Sequence, residues 1–260
     1  MWPERKRFAV AFSFDFDAEE VWIGENPDNA RRPGVLSQGR YGAKVGVPRI
    51  LDVLARHRVR ATFFVPGRVA ERHSERVKEI VGAGHELAHH GYRHVSPAEL
   101  DYPDEEAELV RGKEALAPFG AEVVGYRSPS WDLSPHTLEL LELHGFLYSS
   151  NLMDDVRPYR HDGCSVVELP IQWVLDDAAH FWFGPAEWTK KISTTSEVRQ
   201  IWEEELLGIR EMGGCFVLTM HPQIIGRPSR VAFLDRFVGF VKSLNDGWIA
   251  TCAEVARRVR

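Results

Sequence analysis

Cysteine is scarce in this 260-residue sequence: Cys164, Cys215 and Cys252 are the only three, and they stand far apart. An odd, dispersed set excludes a disulfide framework and a cysteine-based zinc site. Cys215 and Cys252 lie in apolar runs and are expected as small core residues. An excess of one charge is also missing. Lys and Arg number 32 against 38 Asp and Glu, a net charge of −6, so nothing points to nucleic acid or an anionic membrane as partner. No stretch is long and apolar enough to cross a membrane. Residues 1–7 are polar and basic, but the apolar run behind them is short and leads straight into two aspartates. That is not a secretory signal, and a cytoplasmic location is expected. Repeats, low-complexity segments and linkers are absent as well, so residues 1–260 are read as one domain.

What is present is a core-forming composition, 44% apolar and 27% charged, arranged as an alternation. Short β-rich runs are predicted at 8–14, 61–65, 86–90, 123–126, 147–150, 166–169, 215–220 and 248–251. Amphipathic helical segments are predicted at 47–57, 68–82, 104–117, 135–144, 196–212 and 230–243. Ser134 before Pro135 marks a helix start and Gly145 a stop. In the last long helix Val231, Leu234, Phe237, Val238 and Val241 form one apolar stripe. Repeated βα units build a parallel sheet covered by helices, and seven or eight strands in a chain of this length favour a closed or nearly closed barrel. Two segments break the rhythm. Residues 22–45 are rich in Gly, Pro, Asn and Arg and are expected as a loop lid. Residues 154–191 carry Pro158, Pro170, Pro185, Trp173, Trp182 and Trp188, aromatics for a substrate pocket or an oligomer contact.

Chemistry belongs at the C-terminal strand ends in such folds, and that is where the reactive side chains fall. Asp15 and Asp17 follow the first apolar run; spaced two apart, they share a strand face. His90 and His94 follow another. One carboxylate and two imidazoles make an oxygen/nitrogen set for a divalent metal with an open position for water. Zinc is the first choice, with nickel, cobalt or manganese behind it. Asp17 goes to the metal and Asp15 is free to act as base. His85 and His89 face the other way and are read as structural or as supports behind the metal ligands. In Tyr126-Arg127-Ser128-Pro129-Ser130-Trp131, Arg127 is the cation that would hold Asp15, and Trp131 a wall. His221 ends the run 215–220 and is the candidate acid, with Asp176 or Asp177 to orient it. Tyr92, Trp131, Asp176 and Asp177 are the candidate substrate contacts.

The order of these pieces resembles the polysaccharide deacetylase family, carbohydrate esterase family four, along nearly the whole chain. The first motif of that family matches Asp15 and Asp17, and the second matches Gly84-His85-Glu86-Leu87-Ala88-His89-His90-Gly91-Tyr92-Arg93-His94. The third matches Arg127-Ser128-Pro129-Ser130-Trp131, and the last, loosely, Leu218 to His221. The chain departs where the family has adjacent aspartates followed by Gly: here Phe16 separates them and Ala18 follows. The resemblance implies a distorted (β/α) barrel and hydrolysis of a non-peptide amide. It implies a base and a metal ligand at Asp15 and Asp17, and metal ligands at His90 and His94. With no export signal, the chain is similar to a cytoplasmic branch that includes peptidoglycan-deacetylase-like proteins and amidohydrolases of allantoin or cyclic imides. An N-acetyl sugar is the leading substrate and a small cyclic amide the second. A non-catalytic degenerate barrel is the competing class. Both inserts look placed to close the mouth, so a restricted pocket and a homo-oligomer, a dimer or tetramer, are expected.

Overall fold

Strand β1, Phe8–Asp15, is buried along all eight residues and organises the molecule. Its side chains alternate between two environments, as the period of a strand requires. Phe8, Val10, Phe12 and Phe14 point into the cluster formed with the surrounding helices, whereas Ala9 and Ala11 enter the opposite cluster inside the curled sheet. Large outside and small inside is what a tight barrel demands. Each fully buried aromatic contributes roughly 1.5–3 kcal/mol. The alternation carries Ser13 and Asp15 inward too.

The computed structural model describes residues 2–3, 5–184 and 189–259. Eight further strands follow β1: β2 Thr62–Val65, β3 Glu86–His89, β4 Gly125–Tyr126, β5 Tyr148–Ser149, β6 Tyr159–Arg160, β7 Val167–Glu168, β8 Cys215–Met220 and β9 Gly247–Ile249. Their order in the sheet is β6-β7-β5-β4-β3-β2-β1-β8, with β9 also on β1. Every pairing is parallel except β6 with β7. The expected distorted (β/α) barrel is therefore present, curled rather than closed by a continuous ladder. Between β7 and β8 the gap is spanned by isolated contacts. Cys215 N–H donates to Val156 O at 2.8 Å, and Asp176 bridges to Thr219. The interior is stopped at the other end by the short helix Cys252–Ala256, whose Thr251 and Glu254 form a capping box. Cys215 and Cys252 are buried in this inner cluster, as expected.

Register then sets one level for the chemistry. Phe14 pairs with Met220, Val65 with His89, and His89 with Tyr126. The next residues, Asp15, His90, Arg127 and His221, consequently emerge together at the C-terminal ends of four strands.

Several predicted elements shift. The segment predicted at 68–82 is two helices, Gly67–Arg72 and Ser74–Gly82, broken at His73, whose Nε2 is 2.7 Å from Glu19 Oε2. The helix expected from Pro135 is assigned over Thr137–Leu143, with Ser134 Oγ accepting from His136 N–H at 2.9 Å; Gly145, at φ +73°, is the stop. The largest difference is the expected loop at 22–45. It is helical: Glu20–Glu25, a 3₁₀ turn Pro27–Arg31, Pro33–Tyr41, and a π segment Gly42–Gly46 leading into Val47–His57. Its glycines are there for close approach. A Cβ on Gly24 would stand 2.3 Å from the His94 carbonyl oxygen, and one on Gly39 2.4 Å from that of Ala18.

Candidate active site

Asp15 closes the inward row of β1 and is 1% exposed. Arg127, fully buried, places its NH1 2.7 Å from Asp15 Oδ1 and 3.0 Å from Ser13 Oγ. Two further donors go to Ser150: Nε to the carbonyl at 3.2 Å and NH2 to Oγ at 3.0 Å. The guanidinium also lies over the Phe64 ring, 4.1 Å from its centroid. Every edge of the cation is held, so its aim at Asp15 is set by packing. Burial is the largest single influence and works against charge on Asp15, but Arg127, His90 and His221 together outweigh it. The carboxyl sits below its ordinary value.

Asp17, two residues on, is equally buried, yet neither carboxylate oxygen accepts a hydrogen bond. His90 Nε2 lies 3.4 Å and His94 Nε2 3.7 Å from Asp17 Oδ1. His90 Nδ1 is 2.7 Å from the Arg127 carbonyl oxygen. A carbonyl only accepts, so Nδ1 carries the proton and Nε2 presents a lone pair to Asp17. Burial holds both rings neutral, with pKa lowered to about 4 for His90 and about 3 for His94. Burial likewise pushes Asp17 well above the ordinary value, since nothing adequate offsets it. Two imidazole lone pairs and a bare carboxylate facing one another repel unless a cation joins them. These three donors, within 4.8 Å of one another, fit a divalent metal ion.

His221 follows β8. Its backbone N–H and its Nδ1 both go to Asp177, Nδ1 at 2.7 Å from Oδ1. That bond leaves Nε2 toward the cavity, 3.8 Å from Asp17 Oδ2. Burial disfavours an imidazolium here, but Asp176 and Asp177 outweigh it and raise the pKa well above 6.5. Asp176 lies 3.5 Å from Nδ1, caps Ala178 N–H at 2.7 Å, and is pushed up to about 7, chiefly by burial.

Around these groups is a cavity of about 210 Å³ whose walls include Val21, Ser130, Trp131, Trp173 and Trp182. Trp173 stacks on Trp131 at 4.4 Å and is half exposed; Trp182 stacks on Trp22 at 5.1 Å. Trp188 and Pro185 lie outside the described residues. The loops carrying the site are strained: Ala18, His94, Ser130 and Trp131 all have positive φ, between 45° and 65°.

The structure thus brings together Asp15, Asp17, His90, His94, Arg127, Trp131, Asp176 and His221. It corrects two of the expected substrate contacts. Tyr92 does not line this cavity: its ring lies under Arg111 at 4.1 Å and its hydroxyl 3.2 Å from Glu71. Asp177 spends both oxygens on His221. His85 and His89 hold backbone groups rather than lining the cavity. Nδ1 of His85 accepts from Ala61 N–H, and Nδ1 of His89 accepts from Gly91 N–H while its Nε2 donates to Leu109 O. Sequence reasoning missed Ser13, Ser150 and Gln223. Ser13 was findable, since it sits two before Asp15 on the same strand face. Ser150 and Gln223 carry no local signal.

The sequence profile described as Polysaccharide deacetylase matches residues 40–149. The peptidoglycan deacetylase of Helicobacter pylori is 30% identical over 273 residues, covering 90% of this chain and 89% of that protein. A crystal structure of a Mycobacterium smegmatis protein assigned to the polysaccharide deacetylases superposes with a TM-score of 0.96 at 44% identity, covering 100% of this chain and 92% of the other. Puue allantoinase superposes at 0.84 with 22% identity over 98% and 91%, a likeness of fold. The chain therefore belongs to the polysaccharide deacetylase family, hydrolases of carbon–nitrogen bonds other than peptide bonds.

Proposed function

We propose that this protein is a metal-dependent deacetylase of an N-acetylated sugar, with residues 1–260 acting as one catalytic domain. The observation that carries the reading is the unpartnered Asp17 carboxylate facing the lone pair of His90 beside a fully partnered Asp15. Asp17, His90 and His94 hold a divalent ion, zinc by ligand type. When bound there, such an ion supplies Lewis acidity toward the carbonyl and a lower pKa for water. The chain's own groups do the rest. Asp15, kept ionised and aimed by Arg127, takes a proton from the attacking water. As the C–N bond breaks, His221 gives its Nε2 proton to the departing nitrogen, and Asp177 holds the ring in that tautomer. Trp131 and Trp173 wall the cavity, and Asp176 supports the charge on His221.

A second reading is ring opening of a small cyclic amide by the same groups. The cavity favours it, since about 210 Å³ is below the roughly 300–1,000 Å³ usual for drug-sized ligands. A homo-oligomer is supported by exposed apolar side chains, Trp173, Met153 and Met212. Among the described residues no helix is long and apolar enough to cross a membrane.

The deciding experiment is a panel of N-acetyl sugars, cyclic imides, hydantoins and ureides. Turnover confined to N-acetyl sugars is expected. Turnover confined to the cyclic compounds would replace the first reading with the second. Metal analysis of purified protein should find close to one equivalent. Less than about a tenth, with activity untouched by chelator, would remove Asp17, His90 and His94 from the metal role.

A further inference from the structure

The helix Pro228–Ser243 begins against the usual electrostatic pattern. The N–H groups of a first turn carry partial positive charge, which helices ordinarily meet with an acid or a side-chain cap. Here the first turn holds no acid and no capping side chain, and the N-cap residue is Arg227, with Arg230 three residues later. Both guanidiniums are half-buried and laid on aromatic rings: Arg227 is 3.7 Å from the Tyr41 centroid and Arg230 4.6 Å from that of Phe181. Their hydrogen bonds are two long ones to carbonyls, Arg227 to Gln223 O and Arg230 to Ile224 O, each at 3.3 Å. Neither makes an ion pair within 4.0 Å among the described residues. The acid whose charge acts on Arg230 is Asp177, and it spends both oxygens on His221. Among the described residues, two cations thus stand at the positive end of a sixteen-residue helix without an ion-pair partner.

These groups open on a cavity of about 410 Å³, lined also by Ser229, Gln223, Trp22 and Trp182. Gln223 is 4% exposed; its amide lies close enough to Asp17 to favour that carboxylate's ionised form, so it belongs to the catalytic side of this wall. Trp182 lines both this cavity and the catalytic one, so the two adjoin at that indole.

We propose that this second cavity is an oxyanion site. A carboxylate or phosphate group would sit between the Arg227 and Arg230 guanidiniums, over the first turn of the helix. The anion has two sources by chemistry: an acidic group carried by the substrate past Trp182, or a free anion.

Titration calorimetry of the full chain with inorganic phosphate tests the site without any turnover. Phosphate should bind the wild type, and the double variant Arg227→Gln/Arg230→Gln should bind it at least about tenfold more weakly. Arg230→Glu separates lost binding from lost folding. An acid in that first turn suits the helix, so its Tm without phosphate should equal or exceed that of the wild type while binding disappears. No binding at millimolar phosphate, or the same affinity in all three proteins, overturns the proposal. Inhibition kinetics assign the source, and this arm alone rests on the deacetylase reading. Phosphate competing with a carboxylated N-acetyl sugar but not with its neutral counterpart assigns the site to the substrate's own acid. Competition with neither assigns it to a free anion. Competition with both that the arginine variants do not relieve puts the anion in the catalytic cavity and overturns the proposal.

Discussion

Asp15 and Asp17 are the same residue type, two positions apart, equally buried and at the mouth of one barrel. Their surroundings are opposite. Asp15 meets a buried arginine that is itself held by Ser13 and Ser150, and its carboxyl is depressed. Asp17 meets two neutral imidazoles and no buried cation like Arg127, and burial raises its carboxyl. A protein that could have satisfied both carboxylates satisfied one. The completed half is rigid and pre-ionised, which suits a base; the incomplete half is a donor set, which suits a cation. The difference teaches which aspartate does what, where the spacing alone could not.

The comparison breaks most visibly if the completed half is opened. Arg127→Met leaves the buried Asp15 charge unpaired and should cost about 3–5 kcal/mol of stability, read as a lowered denaturation midpoint. A loss below about 1 kcal/mol would mean that Asp15 is not held as a buried anion. Changing the base itself is next. Asp15→Asn and His221→Ala should each lower kcat by at least about two orders of magnitude, roughly 2.7 kcal/mol, with metal content retained in Asp15→Asn. Near-wild-type turnover in either would remove its role. On the incomplete half, Gly24→Ala drives a Cβ into the His94 carbonyl. It should weaken metal affinity by about 10–100-fold, the scale of damage to a ligand's support. Unchanged affinity, measured by competition with a chromogenic chelator, would free the helical insert from that part. The smallest effect sharpens the picture. Ser150→Ala removes one hydroxyl from Arg127 and should cost about 0.5–1.5 kcal/mol, with kcat falling less than in Asp15→Asn. A larger fall in kcat than in Asp15→Asn would move Ser150 into the chemistry.

Much of this was legible in the residues. The apolar run at 8–14 and the strand-end positions of Asp15, His90, Arg127 and His221 were visible as pattern, because they rest on short-range order. Residues 22–45 misled because their Gly and Pro content reads as loop. Those glycines instead let a helical insert lie against the Ala18 and His94 backbones, a requirement set by distant chain. Tyr92 misled differently: it follows His90 in sequence, but the turn through Gly91, at φ +70°, sends its ring away from the cavity to Arg111. The choice between Asp176 and Asp177 was likewise beyond pattern. Adjacent residues point apart, and only the placement of His221 said which one it meets.

By itself the sequence determined the strand-and-helix alternation, the family motifs and the identity of the reactive side chains, all of which rest on short-range order. Only the tertiary structure decided that Arg127 is held by Ser13, Asp15 and Ser150, that Asp17 faces two imidazoles instead of a cation, and that Arg227 and Arg230 have no ion-pair partner among the described residues. The reason is physical. Whether a buried polar group has a partner depends on atoms brought within about 3 Å from chain positions far apart, and that distance is a property of packing.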